Sequence, residues 1–436
     1  MHSVEHRLAA SKSAIEHWFE DEWAGHPAPA YSSVDVRHAG FKIAPVDTNL
    51  FPGGWNNLTP EMWPTATQAF KNLLSRLSPN AQRLLIVPES HTRNLFYLSN
   101  VSVLQSLLEK SGLQVRVGSL SADIQGLTDI PLPNGLTLQL APLIRQGDRV
   151  VIKDFDPCVV LLNTDLSAGE PSLLQHLKDQ RLMPPLHAGW HVRRKHQHFQ
   201  KYDEVCSRFS KSFDIDPWLL NPLFTHCTDI DFAEGTGLDA LKSQVADLLA
   251  QIRIKYSTNG IDEKPFVIVK ADNGTYGMGI MTVRDPSDLD QLNRKTRNKM
   301  SVVKDGQAVT EVLVQEGVPT RTRVQTATAE PVVYMVNGEV VGGFYRVNEG
   351  RGIDENLNAQ GARFSALELT AQGDIPADWY AYSVIARLAS LAASQEIASM
   401  AHGQLMSPDV FPMLDQWRQL YPSPPPAPLS CCTSQL

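Results

Sequence analysis

Lys270 closes an apolar run, Pro265-Phe-Val-Ile-Val-Lys270, and three glycines follow within nine residues, Gly274, Gly277 and Gly279, before a second apolar run begins at Ile280. Glycines spaced this closely let backbone N–H groups approach an anion, because no Cβ intervenes and positive φ costs little. A lysine at the end of the first strand can place its ammonium on a phosphate as a point charge. The same pattern also suits a plain glycine-rich hairpin with an incidental lysine. A P-loop is excluded, since GxxxxGK[ST] is absent and no helix signal follows Gly279.

Other residues offer recognition chemistry. Arg37, Arg93 and Arg351 are candidate partners for an α-carboxylate, which a guanidinium fork matches, or members of ordinary ion pairs. The loop Glu89-Ser-His-Thr-Arg93-Asn94 follows the carboxyl end of a strand, where open α/β sheets bind ligands, and Glu89 there can meet an ammonium group. His187, His191, His196 and His198 cluster with Arg193, Arg194 and Lys195. Their spacing fits no ordinary zinc pattern, and the alternative is a basic face toward phosphates or a carboxylate. No GxSxG occurs, so Ser/His/Asp hydrolysis has no support.

These residues need elements to hold them. Apolar residues at helical spacing predict a helix over 3–23, and Val34 to Asn49 reads as two short strands about a turn at Ala39-Gly40. A helix over 63–77, a buried strand from Arg83 to Pro88, a helix to about Lys110 and a strand from Gln114 form a βαβ unit, hence a parallel, Rossmann-like layer. No GxGxxG follows these strands. From Pro265 to Phe364 short β-rich runs alternate with glycines, and Asn337-Gly338 predicts a hairpin turn. A helix over about 379–397 follows, then a proline-rich tail expected to be disordered. The expected division is an N-terminal helix (1–29), a Rossmann-like region (30–235), a nucleotide-binding region (236–365), a helical segment (366–420) and the tail (421–436).

The order of these segments resembles the ATP-grasp ligases. There, a lysine strand and glycine-rich lid precede an adenine-side strand, a hairpin, an arginine strand and an Asn/Gly-rich stretch. The resemblance implies a mixed α/β and α+β fold binding ATP between two lobes. It places Lys270 on the phosphates, Gly274, Tyr276, Gly277 and Gly279 in the lid, and Gln315, Glu316 and Val318 along the adenine. Arg346 and Arg363 would lie near the acyl phosphate and substrate carboxylate, with Asn356 or Asn358 close by. One departure stands out: no acidic metal strand follows the Asn/Gly-rich stretch. The strand ending Pro45-Val-Asp47-Thr-Asn49 instead resembles the Glu-x-Asn pair that binds Mg²⁺ in circularly permuted, eukaryotic-type glutathione synthetases. Alternate strand residues share a face, so Asp47 and Asn49 can present oxygens to one hard cation, with Asp272 as a third ligand. A strand-end Asx turn is the competing reading.

Over residues 30–365 the combination, including Asp35 to Asn57 and Val87 to Asn94, resembles the proteobacterial glutamate–cysteine ligases. That implies ATP-dependent joining of L-glutamate to L-cysteine. Rival readings are another carboxylate–amine ligase such as a glutathione synthetase, a catalytically silent nucleotide-binding regulator, or a small-molecule kinase.

Bulk properties fit such a protein. A chain of 436 residues exceeds one simple core, and a net charge of -8 argues against a broad nucleic-acid surface. Five cysteines with no CxxC make a disulfide framework or structural zinc unexpected. No run approaches the roughly 20 apolar residues that span a bilayer, so a cytoplasmic protein without membrane partners is expected.

Overall fold

A computed structural model describes residues 4–90, 93–178, 180–273, 278–367 and 377–405. The proline-rich tail and its two adjacent cysteines lie outside the described residues, as do Gly274, Tyr276 and Gly277 of the glycine-rich loop.

The βαβ unit forms as its pattern demands. Strand Arg83–Pro88 leads through helix Leu95–Lys110 to strand Gln114–Ser119. Asn94 caps the helix by accepting from the Tyr97 amide, and Gly112 takes the left-handed turn after it. The two strands lie parallel inside a six-stranded sheet, with Val159–Asn163 and Arg181–Met183 on one side and Thr137–Pro142 and Thr128–Pro131 on the other. Only the last strand runs antiparallel.

The β-rich half resolves into two antiparallel sheets. The smaller orders Phe224–Cys227, Val312–Glu316, Val267–Ala271 and Ile280–Val283, and helix Leu238–Thr258 covers it. Val245, Leu249, Val269 and Val314 give this unit its own core. The larger sheet is built on hairpin Ala327–Val336/Glu339–Asn348, whose Asn337 and Gly338 have φ of 53° and 80°. Two consecutive positive φ values define the turn that matches the strands' twist, so the Asn-Gly expectation holds.

The two N-terminal strands do not join the parallel sheet. Tyr31–His38 pairs antiparallel with Ala327–Val336, and Ile43–Asn49 pairs with Tyr31–His38 beyond it. Both spans 30–235 and 236–365 therefore contribute strands to the larger sheet, and strand order departs from chain order. The N-terminal helix is also interrupted: Val4–Ala10 and Lys12–Gly25 meet at Ser11, whose amide reaches both the Arg7 and Leu8 carbonyls.

Helix Ala377–Leu405 explains why the N-terminal strands are held there. Trp379, Ile385, Leu388 and Leu391 are buried on several of its faces, and it packs on the larger sheet and on helix Lys195–Phe213. Glu396 on this helix receives both Arg193 Nε and Nη2 at 2.8 Å, and His198 Nδ1 lies 3.0 Å from it. Arg193 and His198 in turn reach the carbonyl and hydroxyl of Thr48, at 3.4 and 2.9 Å. Thr48 lies between Asp47 and Asn49, so this buried network grips their strand from behind.

Burial opposes the Glu396 charge, but Arg193 and His198 outweigh it and hold the carboxyl down at about 2. A depressed folded-state value contributes stability above the unfolded carboxyl's 4.5, and that stability is lost as pH falls toward 2. Replacing Glu396 by Gln should lower unfolding free energy by roughly 3 kcal/mol, since it strands a buried guanidinium. Urea titrations at pH 7 and pH 4 should find the wild-type advantage shrinking at the lower pH.

Candidate active site

Two cavities adjoin where the two antiparallel sheets meet. Asp35, Asp47, Arg346 and Asn358 line both, and so mark the junction. The smaller has Ile268, Ile280 and Val318 as apolar wall and Lys195, Lys270 and Gln315 as polar groups. The larger is bordered by Asn49, the Gly53-Gly54 turn, Asn57, Asn163, Tyr334 and Arg363.

Strand geometry fixes the first cavity. Ile268 faces Gln315 across the pair formed by Val267–Ala271 and Val312–Glu316, and Lys270 lies two residues on from Ile268, on the same face. The Lys270 ammonium donates to Gln315 Oε1 and to the Val46 carbonyl, both at 2.7 Å, bridging the two sheets. Gln315 Nε2 is buried without a partner among the described residues, as is Arg346 Nε. Both residues line the first cavity, and an orphaned buried donor there suits an incoming acceptor. Gly279 holds φ of +60°, and a Cβ there would stand 2.7 Å from the Ala271 Cβ, so only glycine closes the loop onto its strand.

Asp47 lies opposite Asp35 in the strand pair. Lys195 Nζ donates to Asp47 at 3.0 Å. Burial works against the Asp47 charge, yet Lys195, Lys270 and Arg193 together bring it to about 2. Asn49 Oδ1 accepts the Phe51 amide at 2.9 Å, so the Asx turn is present. A carbonyl oxygen keeps a second lone pair, and both side chains line the larger cavity. An anionic carboxylate and a carbonyl oxygen on one strand face make a donor set suited to a hard divalent cation.

Most of the expected residues converge here, though several are already committed. Glu316 accepts from Lys42 Nζ at 2.6 Å, Trp218 Nε1 at 3.1 Å and the Leu223 amide at 2.9 Å, so its side chain anchors the strand. Arg37 donates to Glu330 at 2.9 Å and to the Glu355 and Val318 carbonyls at 2.5 and 3.3 Å, which leaves no open fork. Arg346 binds Asp35 and Glu330 at 2.6 and 2.7 Å and faces both cavities. Arg363 stands exposed at the rim, paired with Glu349. Asn356 and Asn358 line the smaller cavity, joined by a 2.9 Å bond from the Asn358 amide.

Four expected residues are not brought to the cleft. Glu89 is held 3.1 Å from Lys304 Nζ and accepts the Asp165 amide, because its loop faces the smaller sheet's unit instead. Arg93 is exposed and borders neither cavity. Arg351 is exposed and paired with Glu355. Asp272 is buried against His196, which takes both its oxygens, and lines neither cavity.

The histidine-rich cluster divides by function of position. Lys195 enters the cleft, Arg193 and His198 hold the back of the Asp47 strand, and His196 faces Asp272. His187 is buried, and burial pushes its imidazole down to about 4. Lys195, Asp35 and Glu330 also line the cleft, beyond the residues the sequence points to. Lys195 was legible only as part of the basic run, and a lone Glu330 inside a β-rich segment carries no signal.

The glutamate–cysteine ligase family model (GshA) matches residues 5–397. A crystal structure of a candidate gamma-glutamylcysteine synthetase from Methylobacillus flagellatus KT superposes with a TM-score of 0.84 at 50% identity, covering 91% of this chain and 96% of that one. A D-alanyl-alanine synthetase A from Vibrio cholerae and a glutathione synthetase-like effector from Globodera pallida give TM-scores of only 0.35 and 0.38, at 13% and 10% identity. The first covers 70% of this chain and 80% of its own, the second 83% of each. No curated protein matches the chain.

Lys270 makes anion binding measurable. Burial pushes its ammonium down to about 7, with Lys195 and Arg37 adding to the effect against Asp47. A triphosphate placed on it favours the charged form, so binding above that pH takes up a proton. Calorimetric titration at pH 8.5 in buffers of different ionisation enthalpy should show uptake of about one proton per bound triphosphate. Lys270→Met should abolish that uptake.

Proposed function

The chain belongs to the glutamate–cysteine ligase family, and from that membership and the cleft we propose how its residues divide the work. The activity is ATP-dependent joining of L-glutamate and L-cysteine into γ-glutamylcysteine, with release of ADP and phosphate. The observation carrying the site assignment is the shared junction: Asp35, Asp47, Arg346 and Asn358 stand where the smaller, lysine-bearing cavity opens into the larger polar one.

In this reading the nucleotide occupies the smaller cavity. Its base lies against Ile268, Ile280 and Val318, within reach of Gln315 Nε2, and its phosphates point at Lys270 and Lys195. The amino acids occupy the larger cavity, with Arg363 at the rim for a carboxylate. A divalent cation, Mg²⁺ here, held by Asp47 and Asn49, would supply positive charge to the transferring phosphoryl group. The fold is read as a circularly permuted ATP-grasp arrangement, since the strand bearing Asp47 and Asn49 comes from the N-terminal end yet lies in the sheet of Arg346. A cytoplasmic location, with no nucleic-acid or membrane partner, completes the reading; among the described residues no helix is long and apolar enough to cross a bilayer.

Two steps follow. The γ-carboxylate oxygen of glutamate attacks the γ-phosphorus of ATP as the bond to the ADP oxygen breaks, and Lys270 and Lys195 offset charge on the phosphate oxygens. The cysteine amine then attacks the acyl carbon, loses a proton, and inorganic phosphate leaves. Arg346 lies at the junction where the tetrahedral oxyanion would form, with its Nε–H unpaired among the described residues. No covalent enzyme nucleophile is required.

The assay is ADP and phosphate release by purified chain with Mg²⁺ and single amino acids or pairs. Release should require glutamate and cysteine together. Turnover with γ-glutamylcysteine plus glycine, or without any amine, would sink the assignment. Lys270→Ala should lower kcat/KM by roughly 10²- to 10³-fold with an unchanged thermal melt.

A further inference from the structure

Outside the cleft, four side chains from four elements converge on one point. His196 lies in the first turn of helix Lys195–Phe213, His226 in strand Phe224–Cys227, Asp272 directly after strand Val267–Ala271, and Glu311 directly before strand Val312–Glu316. One ligand atom from each lies within 4.8 Å of all the others. The register brings them together, because Val312 pairs with both Cys227 and Ala271, so the three strand ends sit side by side.

The local geometry is that of a chelating set. The two imidazole rings stack with centroids 3.7 Å apart and planes 13° from parallel. His196 Nδ1 lies 2.6 Å from Asp272 Oδ2, and His226 Nε2 lies 2.9 Å from Glu311 Oε2 and 3.8 Å from Asp272 Oδ2. The second Asp272 oxygen accepts the His196 amide at 2.9 Å, which fixes the carboxylate's direction as an outer partner fixes a metal ligand. Among the described residues neither Asp272 nor Glu311 forms an ion pair with a lysine or arginine. Two carboxylates therefore share one small volume with imidazole as their only basic partner. Asp272 is buried, whereas His226 and Glu311 are partly exposed, which leaves a path from solvent.

We propose that His196, His226, Asp272 and Glu311 bind one divalent transition-metal ion of the zinc, cobalt or nickel type. Two imidazole nitrogens and two carboxylate oxygens favour such an ion over Mg²⁺ or Ca²⁺, which take oxygen ligands. The four groups border neither cavity of the cleft, and the site stands on its own geometry rather than on the reading of the reaction. Its placement gives it a consequence. His196 adjoins Lys195, Asp272 follows Lys270 by two residues, and Asn273 opens the glycine-rich loop. A metal here cross-links the start of the helix to the base of that loop and fixes the backbones carrying both cleft lysines.

The test uses full-length chain freed of metal by a chelator and titrated with Co²⁺ in the absence of nucleotide. The expected result is the visible absorption of four-coordinate cobalt, saturating at one equivalent and displaced by Zn²⁺. His226→Ala and Glu311→Ala should each weaken binding by at least about tenfold. Asp47→Asn, which alters the proposed cation site of the cleft, should leave the cobalt signal intact. An absent four-coordinate signal, one that survives both ligand substitutions, or one lost in Asp47→Asn overturns the proposal. As a control on folding, Zn²⁺ should raise the melting temperature of the wild type and not of His226→Ala; equal effects on both also overturn it. Loss of ligase activity alone does not bear on this site, and an intact cobalt site in a chain without ligase activity would separate the two conclusions.

Discussion

Lys195 and Lys270 end in one buried cleft, and the carboxylate nearest them is Asp47. Two ammonium groups withdrawn from water repel each other, and burial, with Lys195 and Arg37 beside it, carries the Lys270 ammonium down to about 7. Asp47 relieves part of that cost and is itself held ionised by it. The lining balances four acidic side chains, Asp35, Asp47, Glu316 and Glu330, against four basic ones, Arg37, Lys195, Lys270 and Arg346, and an incoming polyphosphate would draw the buried Lys270 back to its charged form.

Meeting this constraint dictates the strand order. Asp47 belongs to the N-terminal part of the chain and the lysines to its middle, so the hairpin Tyr31–His38/Ile43–Asn49 joins the sheet of Arg346 rather than the parallel sheet that follows it in the chain. Pairing alone fixes one edge of that strand. The other constraint comes from Arg193, His198 and Glu396, which grip Thr48 from behind. Glu396 lies on the C-terminal helix, so three distant parts of the chain meet at a single strand. That long-range closure carries a large entropic cost, offset by the buried faces of helix Ala377–Leu405.

The parts legible beforehand were those governed by local rules. Helix Trp63–Leu77 follows its apolar period, the βαβ unit its strand–helix–strand rhythm, and the Asn337-Gly338 turn its need for two positive φ values. Lys270 and Gln315 are identifiable because family resemblance and strand alternation place them on a common face, and Asp47 because the same reasoning sets it beside Asn49 on one face of its own strand. What stayed hidden depends on partners remote in sequence. Glu89 and Arg37 have the right chemistry for substrates, but Lys304 and Glu330, some 200 to 300 residues away, take their polar atoms. Asp272 resembled a cleft ligand by adjacency to Lys270, yet it follows the strand end and turns to His196. Glu330 carried no warning at all, since its role exists only once Arg37 and Arg346 flank it.

The displaced Glu89 has a place in the chemistry all the same. An acyl phosphate hydrolyses if water reaches it, so the cleft needs walls that stay joined across units. Lys304 and Gln307 belong to the smaller sheet's unit. Lys304 reaches Glu89 and Asp165 at 3.1 and 2.8 Å, and Gln307 reaches the Ser167 carbonyl at 2.7 Å, all three on loops of the parallel sheet. Gln307 also accepts from Asn273 at 3.2 Å, the first residue of the glycine-rich segment. The loop's base is thereby tied, through one glutamine, to the unit that borders the larger cavity at Asn163 and Asp165. A carboxylate with the chemistry of a substrate ligand instead helps close the flank of the candidate cleft.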